Sequence, residues 1–225
     1  MQLAVHDTAH AMAHAIADRI ASLLHETGDS FSLGLAGGTT PGATYRLLAG
    51  MALPWDRVQA WLSDERWVAL DDERSNGRMV AETLADQAGL TLHRPPWNPE
   101  MEPNDAAAQY ETVLRRIHEA APPHLVLLGM GEDGHTASLF PGTAALDESA
   151  RWFVANEVPQ LGEIRLTATY PLLWSARRLI VLVAGDRKAE ALRQSLAGDT
   201  PAGRLMEGGA EVEWHADAAA ASLIS

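Results

Sequence analysis

Asp133 and His135 stand two residues apart in Gly129-Met130-Gly131-Glu132-Asp133-Gly134-His135. An imidazole titrates close to neutrality and is the natural general base for activating water. A carboxylate beside it orients the ring and steadies the imidazolium. The pair follows Leu125-Val126-Leu127-Leu128, an apolar run that begins after Pro122-Pro123 and reads as a buried strand. Gly129, Gly131, Gly134 and Gly142 bracket the two groups. The bland use of the same residues is an N-cap, with Asp133 or Thr136 opening a short helix and His135 incidental. The glycines and the strand before them favour chemistry.

Three further groups suit an anion. Gly37-Gly38-Thr39-Thr40-Pro41-Gly42 follows an apolar run and precedes a helix expected over 43–49. Helix N-termini expose unpaired N–H groups, two glycines let the backbone approach closely, and the hydroxyls of Thr39 and Thr40 add donors. No Gly-Lys-Ser/Thr follows, so this is not a Walker loop. An ordinary glycine turn with a threonine cap is the plainer reading. In Ser63-Asp64-Glu65-Arg66, the guanidinium offers a fork of donors for a phosphate or a developing oxyanion. The plainer reading there is a strand-end ion pair in which Glu65 balances Arg66. Lys188, the only lysine of the chain, stands in Gly185-Asp186-Arg187-Lys188. A lysine at a helix start opposes the dipole unless it meets an anion.

These residues need a frame that brings them to one place. Apolar runs predict strands over 31–36, 58–62, 125–130, 152–158, 164–169, 179–184 and 211–215. Helical spacing predicts helices over 8–26, 43–49, 76–88, 105–120 and 186–197, with Gly28 stopping the first. Residues 171–175 form a short helix at most, the alanine-rich stretch 216–221 reads as helical, and four prolines between 95 and 103 mark a loop. Strands alternating with helices imply a mainly parallel, Rossmann-like α/β sheet with helices on both faces. In such a sheet the loops at 37–40, 63–66 and 131–135 share the carboxyl edge, where ligands bind.

Composition narrows the function classes. The 225 residues, 47% of them apolar, suffice for one domain over 1–225 with a full core. A formal charge of −13 leaves no basic stripe for nucleic acid. The seven tryptophans are scattered and read as packing rather than a stacking surface. No cysteine is present, no apolar run spans a membrane, and residues 1–14 lack a secretory pattern, which together suit a cytoplasmic protein. His10 and His14 lie four apart with no third metal ligand evident, so they read as solvated. The sequence sets no oligomeric state.

Four blocks, in order, resemble the 6-phosphogluconolactonase branch of the glucosamine-6-phosphate isomerase/6-phosphogluconolactonase family. They are Leu33 to Pro41, Asp64-Glu65-Arg66 with Ser75-Asn76, Gly129 to Gly142, and Arg165-Leu166-Thr167 with Gly185 to Lys188. The deaminase branch carries a carboxylate five residues past the shared histidine, where this chain has Phe140, and usually a tyrosine where it has Arg66. Both departures favour the lactonase. The resemblance implies the deaminase/ribose-5-phosphate isomerase fold type, no cofactor and no required metal. It implies a sugar-phosphate lactone, 6-phospho-D-glucono-1,5-lactone of the oxidative pentose phosphate pathway, as substrate. Gly37, Gly38, Thr39, Thr40, Arg165 and Lys188 would hold its phosphate. His135 would act as base with Asp133, and Arg66 and Asp64 complete the expected catalytic set. The competing readings are an amino-sugar phosphate deaminase and a non-catalytic sugar-phosphate sensor.

Overall fold

Two apolar surfaces alternate along the central strands, because successive strand residues point to opposite faces. Val126 and Leu128 join one buried cluster while Leu125 and Leu127 join the other; Leu179, Val181 and Val183 oppose Ile180 and Leu182 in the same way. The computed structural model describes every residue except Met1, Asp29 and Ser225. Its strands are β1 (Gln2–His6), β2 (Phe31–Leu35), β3 (Val58–Leu62), β4 (Asp64–Arg66), β5 (Thr91–His93), β6 (Leu125–Gly129), β7 (Phe153–Val158), β8 (Glu163–Ala168), β9 (Arg178–Val183) and β10 (Glu211–Asp217). The helices are α1 (Ala9–Glu26), α2 (Thr39–Ala49), α3 (Asn76–Val80), α4 (Asp86–Ala88), α5 (Pro103–Ile117), α6 (Tyr170–Ser175) and α7 (Ala189–Ala197).

Seven strands form one parallel sheet in the order β1-β10-β9-β6-β2-β3-β5. Residues of α1, α2 and α3 pack on one face, and residues of α5, α6 and α7 on the other. From β2 the chain builds outward through β3 to β5, then returns to β6 and builds the other way. The adjacent pair β2 and β6 is therefore the topological switch point, where the loops leaving the two strands diverge and open a crevice.

The expected mainly parallel sheet is present, and beside it lies a feature the sequence reading did not separate. β4, β8 and β7 form a second, antiparallel sheet. The chain leaves β3 at Ser63, whose N–H still donates to Leu35 while its carbonyl accepts from Ala168. One residue thus hands the chain from one sheet to the other at the carboxyl edge.

Other differences have local causes. Helix α2 begins at Thr39, four residues before the expected start, because Pro41 falls in the first turn, where its missing N–H costs nothing. Helix α5 begins at Pro103 for the same reason. The helix expected over 76–88 runs as α3, a π turn over Ala81–Ala85, and α4. Lys188 ends a 3-10 turn (Asp186–Lys188) and caps α7. The stretch 216–221 is not helical: Ala216 and Asp217 extend β10, and Asp217 accepts from Gly185 and Ala220, which holds the chain in turns. The edge strands β1 and β5 are short and partly exposed, so they lack the buried runs that marked the others.

A buried histidine at the far end of the sheet predicts how stability responds to pH. Trp61 Nε1 donates to Ser32 Oγ at 3.0 Å, and Ser32 Oγ lies 2.6 Å from His118 Nε2. The serine proton then points at Nε2, which must be unprotonated there. Burial depresses the His118 pKa from 6.5 to about 4. Above pH 6.5 both folded and unfolded chains hold the ring neutral. Below it the unfolded chain takes up the proton first, so stability falls with pH, by on the order of 2 kcal/mol at pH 5. Urea midpoints at pH 7 and pH 5 should therefore differ more for the wild type than for His118→Gln. Equal differences would remove His118 from the account.

Candidate active site

At the end of β6 the backbone folds so tightly that only glycine fits. Gly131 N–H donates to the His135 carbonyl at 2.9 Å, and Gly134 adopts φ +75°. This turn brings His135 Nδ1 to 2.6 Å from Asp133 Oδ1, which also accepts the His135 backbone N–H at 3.1 Å. An ionised carboxylate only accepts, so the proton sits on Nδ1 and leaves Nε2 with its lone pair free. Burial alone would raise the Asp133 pKa, but the bonds from His135 outweigh it and hold the carboxyl below its ordinary range. Phe140 stacks on the imidazole with centroids 3.9 Å apart. Among the described residues no helix starts at Asp133 or Thr136, so the capping use is set aside.

His135 opens onto a cavity of about 270 Å³ at the β2/β6 switch point. The site residues expected from the sequence gather here. Gly37, Gly38, Thr39, Thr40, Asp64, Arg66, Arg165 and Lys188 all border it with His135; Asp133 stands behind the histidine. The 37–40 turn presents the start of α2, whose N-cap is Gly38 at φ +101° with no side-chain cap. The threonine-cap alternative therefore does not hold, and the hydroxyls of Thr39 and Thr40 keep their freedom to donate. Lys188 has no carboxylate within ion-pair range among the described residues, and burial lowers its pKa.

Sheet register supplies what spacing does not reveal. Arg66 on β4 lies directly opposite Arg165 on β8. Like charges directly opposite are destabilising unless something negative lies between them. Both Nε atoms are buried without a partner, while Arg66 Nη1 donates to the Arg74 carbonyl and Arg165 Nη2 pairs with Glu163 at 2.7 Å. Glu65 does not balance Arg66 through its guanidinium. Its carboxylate is buried and accepts from the N–H groups of Arg66, Asn76 and Gly77 and from Ser75 Oγ, at 2.7–3.0 Å. It serves the start of α3 instead, where negative charge is favoured.

Two residues that sequence reasoning quoted but gave no role also border the cavity. Ser138 Oγ donates to Asp64 Oδ2 at 2.8 Å, its N–H to Thr167 Oγ1, and its carbonyl accepts from Asn156. This grip holds Ala137 at φ +47°, the only described non-glycine residue with positive φ. Asn76 is the second. Their signal in the sequence was only adjacency to a motif. His10 and His14 meet edge to face, and no group of three metal-ligating side chains exists among the described residues. Among them no helix is long and apolar enough to cross a membrane.

A family model described as glucosamine-6-phosphate isomerases/6-phosphogluconolactonase matches residues 5–214. The chain belongs to that family. A member from Nostoc sp. named 6-phosphogluconolactonase is 35% identical over 206 residues, covering 87% of this chain and 85% of its own. The crystal structure of the family's Thermotoga maritima 6-phosphogluconolactonase superposes with a TM-score of 0.85 at 26% identity, covering 96% of this chain and 99% of that one. A structure described as a monomeric glucosamine-6-phosphate deaminase matches with the same TM-score of 0.85 at 25% identity, covering 99% of this chain and all of that one. Both activities named in the family title thus share this fold, and the site has to separate them.

Proposed function

We propose that this chain is a 6-phosphogluconolactonase that opens 6-phospho-D-glucono-1,5-lactone by water attack, with His135 as general base. The observation that carries the choice within the family is Phe140 stacked on the His135 ring. The position read as a second carboxylate in the deaminase branch is an apolar wall here. The Asp133–His135 pair is then equipped to move a proton to and from water, and lacks a further carboxylate at that place for amine chemistry.

In this reading the phosphate lies between the 37–40 turn, Arg165 and Lys188, and so fixes the ring remote from the reacting carbonyl. The direct opposition of Arg66 and Arg165 supports giving Arg66 to the same dianion rather than to the oxyanion. His135 Nε2 takes a proton from water as its oxygen attacks C1, and Asp133 steadies the imidazolium. The oxyanion then falls to loop N–H groups, the alternative weighed from the sequence. The N–H of Ala137 borders the cavity region and has no partner among the described residues. Collapse of the intermediate breaks the C1–ring oxygen bond, and the imidazolium returns its proton to that oxygen. Asp64 holds Ser138, and through it the Ala137 turn.

The reading is tested by the hydrolysis rate of freshly generated lactone, corrected for spontaneous hydrolysis, beside ammonia release from glucosamine 6-phosphate. Lactone turnover without ammonia supports it; the reverse overturns it. Arg165→Met and Lys188→Ala should act mainly through KM, each by tenfold or more, because a charged hydrogen bond is worth about 1.5–3 kcal/mol. Unchanged KM would remove the residue from the phosphate site. Since burial lowers the Lys188 pKa, affinity for 6-phosphogluconate in titration calorimetry should weaken as pH rises, at a lower pH than an ordinary lysine would require. The alkaline weakening should move upward in Lys188→Arg.

A further inference from the structure

We infer that Asn76 is a specificity-determining residue whose side-chain oxygen accepts a hydrogen bond from a ring hydroxyl of the substrate. The inference rests on the sugar-phosphate lactone reading above. Asn76 is 2% exposed, yet it borders the cavity. Its backbone cannot shift freely: its N–H donates to Glu65 Oε1 at 2.7 Å, and the next residue, Gly77, donates to Glu65 Oε2 at 2.7 Å. Ser75 caps the same turn by accepting from Arg78. Its amide is oriented as well. Nδ2 lies 2.9 Å from the Asp64 carbonyl, and a carbonyl only accepts, so the nitrogen must face β4 and Oδ1 must face away.

Oδ1 then has no donor among the described residues, and it is not sealed from the cavity as the orphaned buried atoms are. Backbone crowds it on one side, since a Cβ at Gly37 would stand 1.8 Å from Oδ1. A fixed acceptor in a buried site loses free energy unless a donor reaches it. The substrate's phosphate dianion offers oxygen lone pairs and no proton, so it does not satisfy Oδ1. The arginines, Lys188 and the α2 turn serve that anion. The groups on a sugar lactone that carry a proton to donate are its ring hydroxyls. Asn76 therefore complements the cations around it: they hold the charge and it reads the neutral part of the ring.

The test pairs a change in the protein with a change in the substrate. kcat/KM is measured for wild type and Asn76→Ala on the parent lactone and on 6-phosphorylated lactones lacking one ring hydroxyl at a time. Asn76→Ala should lower kcat/KM about tenfold on the parent. For one deoxy lactone, wild type and variant should be equal, because the hydrogen bond is already missing. A similar loss on every lactone, or no loss on any, overturns the inference and leaves Asn76 a purely structural residue. If Asn76→Ala does not fold, wild type alone decides: one deoxy lactone must fall about tenfold below the others, and Asn76→Ser must narrow that gap. A uniform deoxy series overturns the inference. Wild-type turnover of the parent lactone is the control for the function itself, so its failure is distinct from a failure at Asn76.

Discussion

Replacing His135 with alanine is expected to lower kcat for lactone hydrolysis by roughly 10²- to 10⁴-fold, the range for losing a positioned general base. KM should change little, because no cation or α2 N–H group is removed. The fold should persist. The bond from Gly131 N–H to the residue-135 carbonyl uses backbone only, and the imidazole itself sits at the cavity wall. The loss on folding side is the stacking contact with Phe140 alone. Steady-state rates with a thermal melt on the same sample check this. A near wild-type kcat would show that another group activates water. Asp133→Asn keeps the shape of the pair but removes the charge that steadies the imidazolium, so kcat should fall there by less than in His135→Ala.

The second large effect is expected at a residue with no side chain. A Cβ added at Gly131 would stand 2.2 Å from both Cε1 and Nδ1 of His135 and 2.8 Å from Asp133 Oδ1. Such approaches are not tolerated, so something must move. The backbone turn is held by the Gly131–His135 bond, whereas the imidazole is a side chain that can swing about its own torsions. Gly131→Ala should therefore break the 2.6 Å contact between His135 and Asp133 and lose activity nearly as completely as His135→Ala. Its melting temperature should fall only modestly. A variant with wild-type kcat would mean that the ring position seen here is not needed for turnover. Gly134→Ala makes a useful contrast. Its Cβ would meet Thr200 at 2.6 Å and the backbone is at φ +75°, so stability should fall along with activity.

What the amino-acid order determined is mostly local. The apolar runs at 125–128 and 179–183 marked buried strands, because their composition satisfies both faces of a parallel sheet at once. The glycines after β6 and the two-residue spacing of Asp133 and His135 set up the dyad, since a turn that tight needs no distant partner. Gly37 to Thr40 and the lone Lys188 were legible by type, and strand alternation placed them at one edge. Edge strands β1 and β5 escaped notice because half-exposed segments have no sharp apolar pattern.

Tertiary structure decided the pairings between residues far apart in the chain. Glu65 looked like the counterion of Arg66, its neighbour in sequence, but it turns instead to the start of α3, about ten residues on. Arg66 faces Arg165 only because the chain crosses from β3 into an antiparallel sheet at Ser63, and register across strands is set by packing, not by spacing along one strand. Phe140 acquires its meaning from stacking on His135, and Asn76 from the one bond that turns its amide oxygen toward the cavity. The elements of the site are written in short segments, while their mutual orientation depends on contacts that form when β2 and β6 lie side by side.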